Sequence, residues 1–419
     1  MESPYFKLRT PVWWDITQDG HPELVFWSWF GLEEFSRDAE TGELGLTPLP
    51  SSSDASDTYK DARVILAVVD IDSDGQDEML AFTDDITVYR ATPGGIDVGK
   101  IPLPSVTLNC LYDSASGDLN RDGLIDIYLA MGCFHNEAYR QTGHPDVVLM
   151  NRGDGRFEAI ELEPERSVLT TSVTLADIDG DGWLDVLESV DASWISGHSR
   201  LLMNRTTPGD SVPRFEPSEH QWDIGTDGMG AALGDLNADG HLDLFNTSIG
   251  FDLLMTGDGE GRFVDETLPR GLYHFWSSLG RRSQWSPTFV DLNMDSRLDL
   301  LIRHGVRSII NTRTTVTNAA DLAYVQEADG TMTRVWTPFV DATDDGICFA
   351  VGDLEGDGIP DAARDAQPGG TIYWANTTEV APETRLLTAR PKPTVSGSPA
   401  TGTIVTAVCK GAALTRHVT

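Results

Sequence analysis

Four cysteines in 419 residues (Cys110, Cys133, Cys348 and Cys409) are too few for a disulfide-built scaffold. Basic residues are also scarce: 30 Lys and Arg stand against 66 Asp and Glu, a net charge of −36. Such a balance repels polyanions, which argues against nucleic acid and anionic membrane surfaces as partners. No run of apolar residues approaches the ~18 that a membrane-spanning helix needs. Nucleophile-elbow, Walker, dinucleotide-fingerprint and HExxH motifs are all missing, so the familiar sequence routes to hydrolase, nucleotide or zinc chemistry are closed. The first residues, MESPYFKLRTPVWWD, lack the basic start and apolar core of a signal peptide. The expectation is a cytoplasmic protein if this start is native, and a secreted one if a leader was removed.

What the chain has in abundance is one nine-residue acidic loop, seven times over. The copies are DITQDGHPE from Asp15, DIDSDGQDE from Asp70, DLNRDGLID from Asp118, DIDGDGWLD from Asp177, DLNADGHLD from Asp235, DLNMDSRLD from Asp291 and DLEGDGIPD from Asp353. Successive starts are 55, 48, 59, 58, 56 and 62 residues apart. A fixed motif at such a period marks a propeller or solenoid rather than a string of unrelated domains.

Positions one, three, five and nine of the loop carry oxygen side chains, and position six is Gly in six copies. Alternating oxygen ligands, a Gly permitting a sharp turn and a late carboxylate suit a hard cation of calcium size. The absence of His and Cys from these positions argues against zinc and copper. The predicted ligands are Asp15, Asp19 and Glu23; Asp70, Asp72, Asp74 and Glu78; Asp118, Asn120, Asp122 and Asp126; Asp177, Asp179, Asp181 and Asp185. They continue with Asp235, Asn237, Asp239 and Asp243; Asp291, Asn293, Asp295 and Asp299; and Asp353, Glu355, Asp357 and Asp361. The loops opening at Asp70, Asp118, Asp177 and Asp235 are the best formed. The first has Thr17 at position three, the sixth has Ser296 in place of Gly, and the seventh has the longer Glu355 at position three. These three are expected to bind more weakly, or to hold water or nothing. Calcium is thus expected as a structural ion at several sites, with no organic cofactor. So many acids crowded at ligand positions should couple metal binding to stability.

Each repeat reads as a short strand of small residues, the acidic loop, an apolar strand, and then further strands and turns. The strands before the loops, such as SASG, SVTLA, GAALG and CFAVG, suit crowding around a central axis. The stretches VVLMNRGDGRF, LLMNRTTPGDSVPRF and LLMTGDGEGRF read as hairpins between outer strands. Seven units of about four strands close into a ring, which removes exposed sheet edges. The fold class is therefore all-β: a seven-bladed β-propeller with DxDxDGxxD loops that bind Ca²⁺ in its blades.

With LMNRGDGRFE and LADIDGDGWLD in view, the repeats resemble the FG-GAP/VCBS repeats of integrin α-chain heads, most of all the cartilage acidic protein (ASPIC/UnbV) group. On that resemblance residues 1–380 form the propeller, and residues 381–419 are the incomplete start of an ASPIC/UnbV-like strand segment. The resemblance also implies that the acidic loops lie on the bottom face, so that ligands meet loops on the top. Residues reaching the top after the second strands are Trp27, Trp29, Cys133, His135, Glu137, Asp191, Trp194, Arg303 and His304. Those before the inner strands are Tyr112, Asp113, Asp227, Tyr273, His274, Trp276, Trp285 and Asp344.

From these, Trp29, Trp194, Asp227, Trp276, Trp285 and His304 are expected to bind substrate in a top-face funnel, and His274, Tyr273, His135 and Glu137 to act as acid/base groups or hydrogen-bond donors. The aromatics would hold a small molecule in a reactive conformer. The reading leans to a cofactor-independent enzyme of cyclase, cycloaddition or lyase type in natural-product biosynthesis. Its alternative is a non-catalytic module recognising a glycan or a protein.

Overall fold

The computed structural model describes residues 11–28, 31–37, 41–50, 64–83, 85–102, 106, 108–132, 144–153, 155–163, 168–191, 197–220, 228–248, 251–272, 283–305, 321–335, 348–365 and 371–379, and the backbone of 404–409 and 412–417. Seven antiparallel sheets follow one another along the chain. Six have four strands in sequence order, and the seventh has three among the described residues. The seven inner strands touch in a closed cycle, the last (Phe349–Gly352) meeting the first (Val12–Trp14). The protein is a seven-bladed β-propeller. A separate hairpin pairs Ile404–Cys409 with Ala412–His417.

The acidic loops set the registers. In every blade the inner strand ends immediately before position one, and position nine is the first residue of the second strand. The residues flanking the loop pair directly: Trp14 with Glu23, Val69 with Glu78, Gly117 with Asp126, Ala176 with Asp185, Gly234 with Asp243, Val290 with Asp299 and Gly352 with Asp361. One eight-residue connection thus recurs seven times.

The core lies between blades. Leu80, Ile127, Leu129 and Leu149 pack blades two and three together, and Phe245, Leu300 and Ile302 pack blades five and six. The closing interface between blades seven and one is leaner, built from Leu24, Phe26, Ala350 and Ala363 with Trp13, Phe35 and Tyr373 against them. There the Trp13 ring lies so close that a Cβ on Gly352 would come within 2.3 Å of it.

Small residues in the inner strands answer a steric demand. A Cβ on Gly230, in the inner strand of blade five (Gly228–Gly234), would sit 2.1 Å from the Trp285 carbonyl oxygen of blade six. Backbone cannot yield as a flexible side chain does, so Gly230→Ala should cost about 1–3 kcal/mol through overpacking. Urea denaturation should show a lower midpoint at an unchanged slope.

Candidate metal loops and the opposite face

The acidic loops fold on their own carboxylates. In all seven, the first-position Asp accepts the N–H of position six through Oδ2. In six, its Oδ1 also accepts the N–H of position five. Position five accepts the N–H of position seven in every copy. The chain turns left-handed twice, at positions four and six, with φ of 58–71° and 71–96°. Only the second turn was anticipated from the Gly pattern. Ser296 takes it at φ 71° despite its Cβ, a strained choice for a non-glycine residue.

The ninth position serves its own blade. Its carboxylate accepts the N–H of position two in every loop, at 2.7–3.1 Å. In blades three to seven the other oxygen accepts a backbone N–H at or just beyond the end of the third strand. These pairs are Asp126 with Asn151, Asp185 with Asn204, Asp243 with Gly257, Asp299 with Gln326 and Asp361 with Asn376, at 2.8–3.0 Å. Four of those partners reach on to the preceding blade. The side-chain amides of Asn151, Asn204, Gln326 and Asn376 donate to the carbonyls of Ile71, Leu119, Leu236 and Leu292, each the second residue of the neighbouring loop. Asn204, Asn246 and Asn376 all head N-x-S/T triplets. Asn204 and Asn246 are buried on strands and Asn376 is tied to Leu292, so none presents its amide nitrogen for glycosylation.

Burial dominates the electrostatics. It raises the carboxyls of Glu78, Asp126 and Asp185 to about 7, and those of Asp243 and Asp299 to about 6. Desolvation is the largest cause in each case, opposed by the backbone hydrogen bonds. Carboxylates that reluctant to ionise alone are ones a cation would relieve.

Metal-fitting geometry is clearest in two loops. Carboxylate oxygens of Asp70, Asp72 and Glu78, and of Asp177, Asp179 and Asp185, converge within 4.8 Å of one another. In the second group Asp177 Oδ1 is buried with no hydrogen-bond partner. An acceptor-only oxygen buried beside two other carboxylates fits a hard cation. The loops at Asp118 and Asp235 carry an amide at position three instead. There Asn120 and Asn237 donate to the position-five acids Asp122 and Asp239, at 2.9 and 2.8 Å.

The second strands deliver a different chemistry to the opposite face. Buried acids just ahead of the third strands cap the ends of the second strands: Asp146 accepts the N–H of Met131, Asp252 that of Ser248 and Asp321 that of His304, at 2.7–2.9 Å. Ser199 does the same for Val190. Burial pushes Asp146 and Asp252 well above the ordinary carboxylate range. Asp146 also accepts the Thr170 hydroxyl of the next blade at 2.7 Å. Asp321 lies 2.7 Å from Arg303 and 3.4 Å from Arg364 of the next blade. These caps escaped the sequence reading, although HPDVVLM, GFDLLM and AADLAYV each place Asp directly before an apolar run.

Of the residues expected to bind substrate, Trp285 and His304 are described, and both are buried, His304 completely. Trp27, Tyr112, Asp191 and Arg303 are buried too. Asp113 accepts the Val173 N–H of the next inner strand, and burial raises its carboxyl to about 6. Trp29, Trp194, Asp227 and Trp276 lie outside the described residues. So do His274, Tyr273, His135, Glu137, Cys133 and Asp344. Buried Glu188 binds the Tyr128 hydroxyl and Arg200, both at 2.6 Å, in the interface between blades three and four. Cys110 is disulfide-bonded.

The FG-GAP-like repeat family matches residues 118–188 and 235–302, so the chain carries FG-GAP-like repeats. No curated protein sequence matches it. Solved structures similar to it include an Agrocybe aegerita lectin that recognises non-reducing terminal N-acetylglucosamine. That match has 15% identity and a TM-score of 0.51, and covers 88% of this chain and 94% of the lectin. A Bacillus licheniformis rhamnogalacturonan lyase aligns at 12% identity and a TM-score of 0.44, covering 88% of this chain and 72% of the lyase. An ancestral GH74 enzyme aligns at 12% identity and a TM-score of 0.46, over 82% of this chain and 42% of its own. At these identities the likeness concerns the fold.

Proposed function

We propose that this propeller of FG-GAP-like repeats holds calcium as a structural ion in its acidic loops and binds a small-molecule or glycan ligand on the opposite face. The observation that carries the reading is the commitment of the ninth-position acids. They tie loop to strand within each blade, and in four blades the amide they position ties that blade to its neighbour. Groups so engaged fasten a scaffold rather than meet a diffusing ligand, which leaves the other face for recognition. Calcium at the converging acids would supply charge neutralisation there. In the Asp177 loop, Asp177, Asp179 and Asp185 would hold it.

Non-catalytic recognition is favoured over chemistry. Disulfide-bonded Cys110 suits an exported protein, and recognition modules of this kind work outside the cell. The lectin aligned over nearly its whole length is itself little more than this fold, so a bare propeller suffices to read a sugar. A grouping with cartilage acidic proteins, which rests on the resemblance of LMNRGDGRFE and LADIDGDGWLD, would fit the same picture. The enzyme reading, a cofactor-independent cyclisation, cycloaddition or elimination, draws on the density of Tyr273, His274 and Trp276 beside Trp285. The acidic surface disfavours nucleic acid and anionic membranes under either reading.

Replacing Tyr273, His274 and Trp276 together with Ala should abolish binding on a glycan array and in small-molecule titrations, while the melting temperature moves by only a few degrees. Undiminished binding by that variant would remove this face as the ligand site. Product formation by the wild type from a bound ligand would restore the enzyme.

A further inference from the structure

Position three is the one ligand position whose chemistry varies among the seven loops, and its variation has a rule. Where it is neutral (Thr17, Asn120, Asn237 and Asn293), no arginine from outside the loop pairs with it among the described residues; Arg152, just past the third strand of blade three, shares the Ser211 carbonyl with Asn120 but pairs with Glu158. Where it is an acid, one does. Arg90 lies 3.5 Å from Asp72 and equally 3.5 Å from Glu78 at position nine, Arg205 3.0 Å from Asp179, and Arg37 2.6 Å from Glu355. The three arginines come from different places. Arg90 is in the third strand of its own blade, Arg205 lies just past the third strand of its blade, and Arg37 crosses from blade one to the loop of blade seven. Three independent arrivals at one position indicate a requirement on charge.

From this pattern we infer that the arginines set the cation affinity of the acid-rich loops by cancelling the charge of position three. At the ligand positions alone, leaving Asp77 and Arg121 aside, the four acids of the Asp70, Asp177 and Asp353 loops less one guanidinium equal the three acids of the Asp15, Asp118 and Asp235 loops. The loop at Asp291 falls lower, because its own Arg297 pairs with Asp295. Position three thereby keeps its oxygen as a ligand while adding no net charge. In the Asp177 loop, Arg205 also lies 3.0 Å from Asp181 at position five, the acid that receives the side-chain amide of Asn120 or Asn237 in the other loops. Arg37, Arg90 and Arg205 are 38–40% exposed. Ion pairs so open to water contribute little to folding, but a fixed positive charge a few ångströms from a divalent ion still opposes its binding. This inference rests on the calcium reading of the loops.

The Asp177 loop contains its own reporter, Trp183 at position seven, whose indole can sensitise terbium luminescence. The signal lost on Trp183→Phe identifies this loop, and calcium displacement of terbium then measures its affinity. Arg205→Ala should bind calcium about tenfold more tightly at this loop, the size of one unit charge acting on a divalent ion through water-like screening. Arg205→Lys should match the wild type. Arg205→Ala combined with Asp179→Asn, which recreates the charge of the Asp118 and Asp235 loops, should return to within about twofold of the wild type. An Arg205→Ala affinity equal to or weaker than wild type would overturn the assignment while leaving calcium in place. Absence of any Trp183-dependent terbium signal in the wild type would overturn the calcium reading and this inference with it.

Discussion

Chelation of divalent cations should lower the melting temperature by about 5–10 °C, and added calcium should restore it. A cation that binds only the folded chain stabilises it by about 2.7 kcal/mol per site when present at 100 times its Kd. The two loops where three carboxylates converge would supply about twice that, and about 1–2 °C per kcal/mol is reasonable for a chain longer than the 150–250 residues for which about 2–4 °C holds. The pH dependence carries a sharper signature. Without metal, the folded-state carboxyls of Glu78, Asp126 and Asp185 titrate near 7, against ordinary values of 4.5 for Glu and 3.8 for Asp. Between about pH 4 and 7 the metal-free fold therefore holds protons that the unfolded chain has already released. Stability must fall as pH rises through that window, and the growing self-repulsion of an acidic chain acts in the same direction. Bound calcium would hold those groups ionised and remove the slope. Chelated protein should melt higher at pH 5 than at pH 8, whereas calcium-loaded protein should not. Calorimetry with and without chelator at both pH values decides, and a chelator without effect at either pH would count against structural calcium.

The blade architecture was legible because it is written in local, repeated residues. Seven acidic loops fix the blade count, and the small residues ahead of them mark inner strands so close that a Cβ on Gly230 or Gly352 would force its neighbours to shift. The coupling between blades was not legible. Asn204 reads as the head of a glycosylation triplet, yet its amide holds the Leu119 carbonyl across an interface, and nothing in one repeat names its partner in another. The arginine rule at position three was hidden too, since Arg205 is 26 residues from the acid it meets in its own blade and Arg37 is 318 residues from its partner in another. Ninth-position acids were read as cation ligands from spacing alone. Their second duty appears only once the third strand returns to place a backbone N–H against them.

That second duty predicts that acids in one loop will fail in different ways. Asp185 is fully buried, accepting the Ile178 N–H at 2.9 Å and the Asn204 N–H at 2.8 Å. Asp185→Ala leaves two interior donors without acceptors, at about 1–3 kcal/mol each. A loss of about 3–5 kcal/mol should therefore appear with or without calcium. Asp181, at position five of the same loop, is exposed and, among the described residues, accepts only the Trp183 N–H and the Arg205 pair. Asp181→Ala should cost under about 1 kcal/mol in chelator, because exposed ion pairs are weak, and should show its larger cost only when calcium is present. Urea titrations of both variants, each with calcium and with chelator, separate fastener from ligand. Equal losses in chelator would mean that the ninth-position carboxylate is a cation ligand and nothing more. The contrast should hold for Asp126 against Asp122 in the neighbouring blade, where Asp126 accepts the Leu119 and Asn151 amides in the same way.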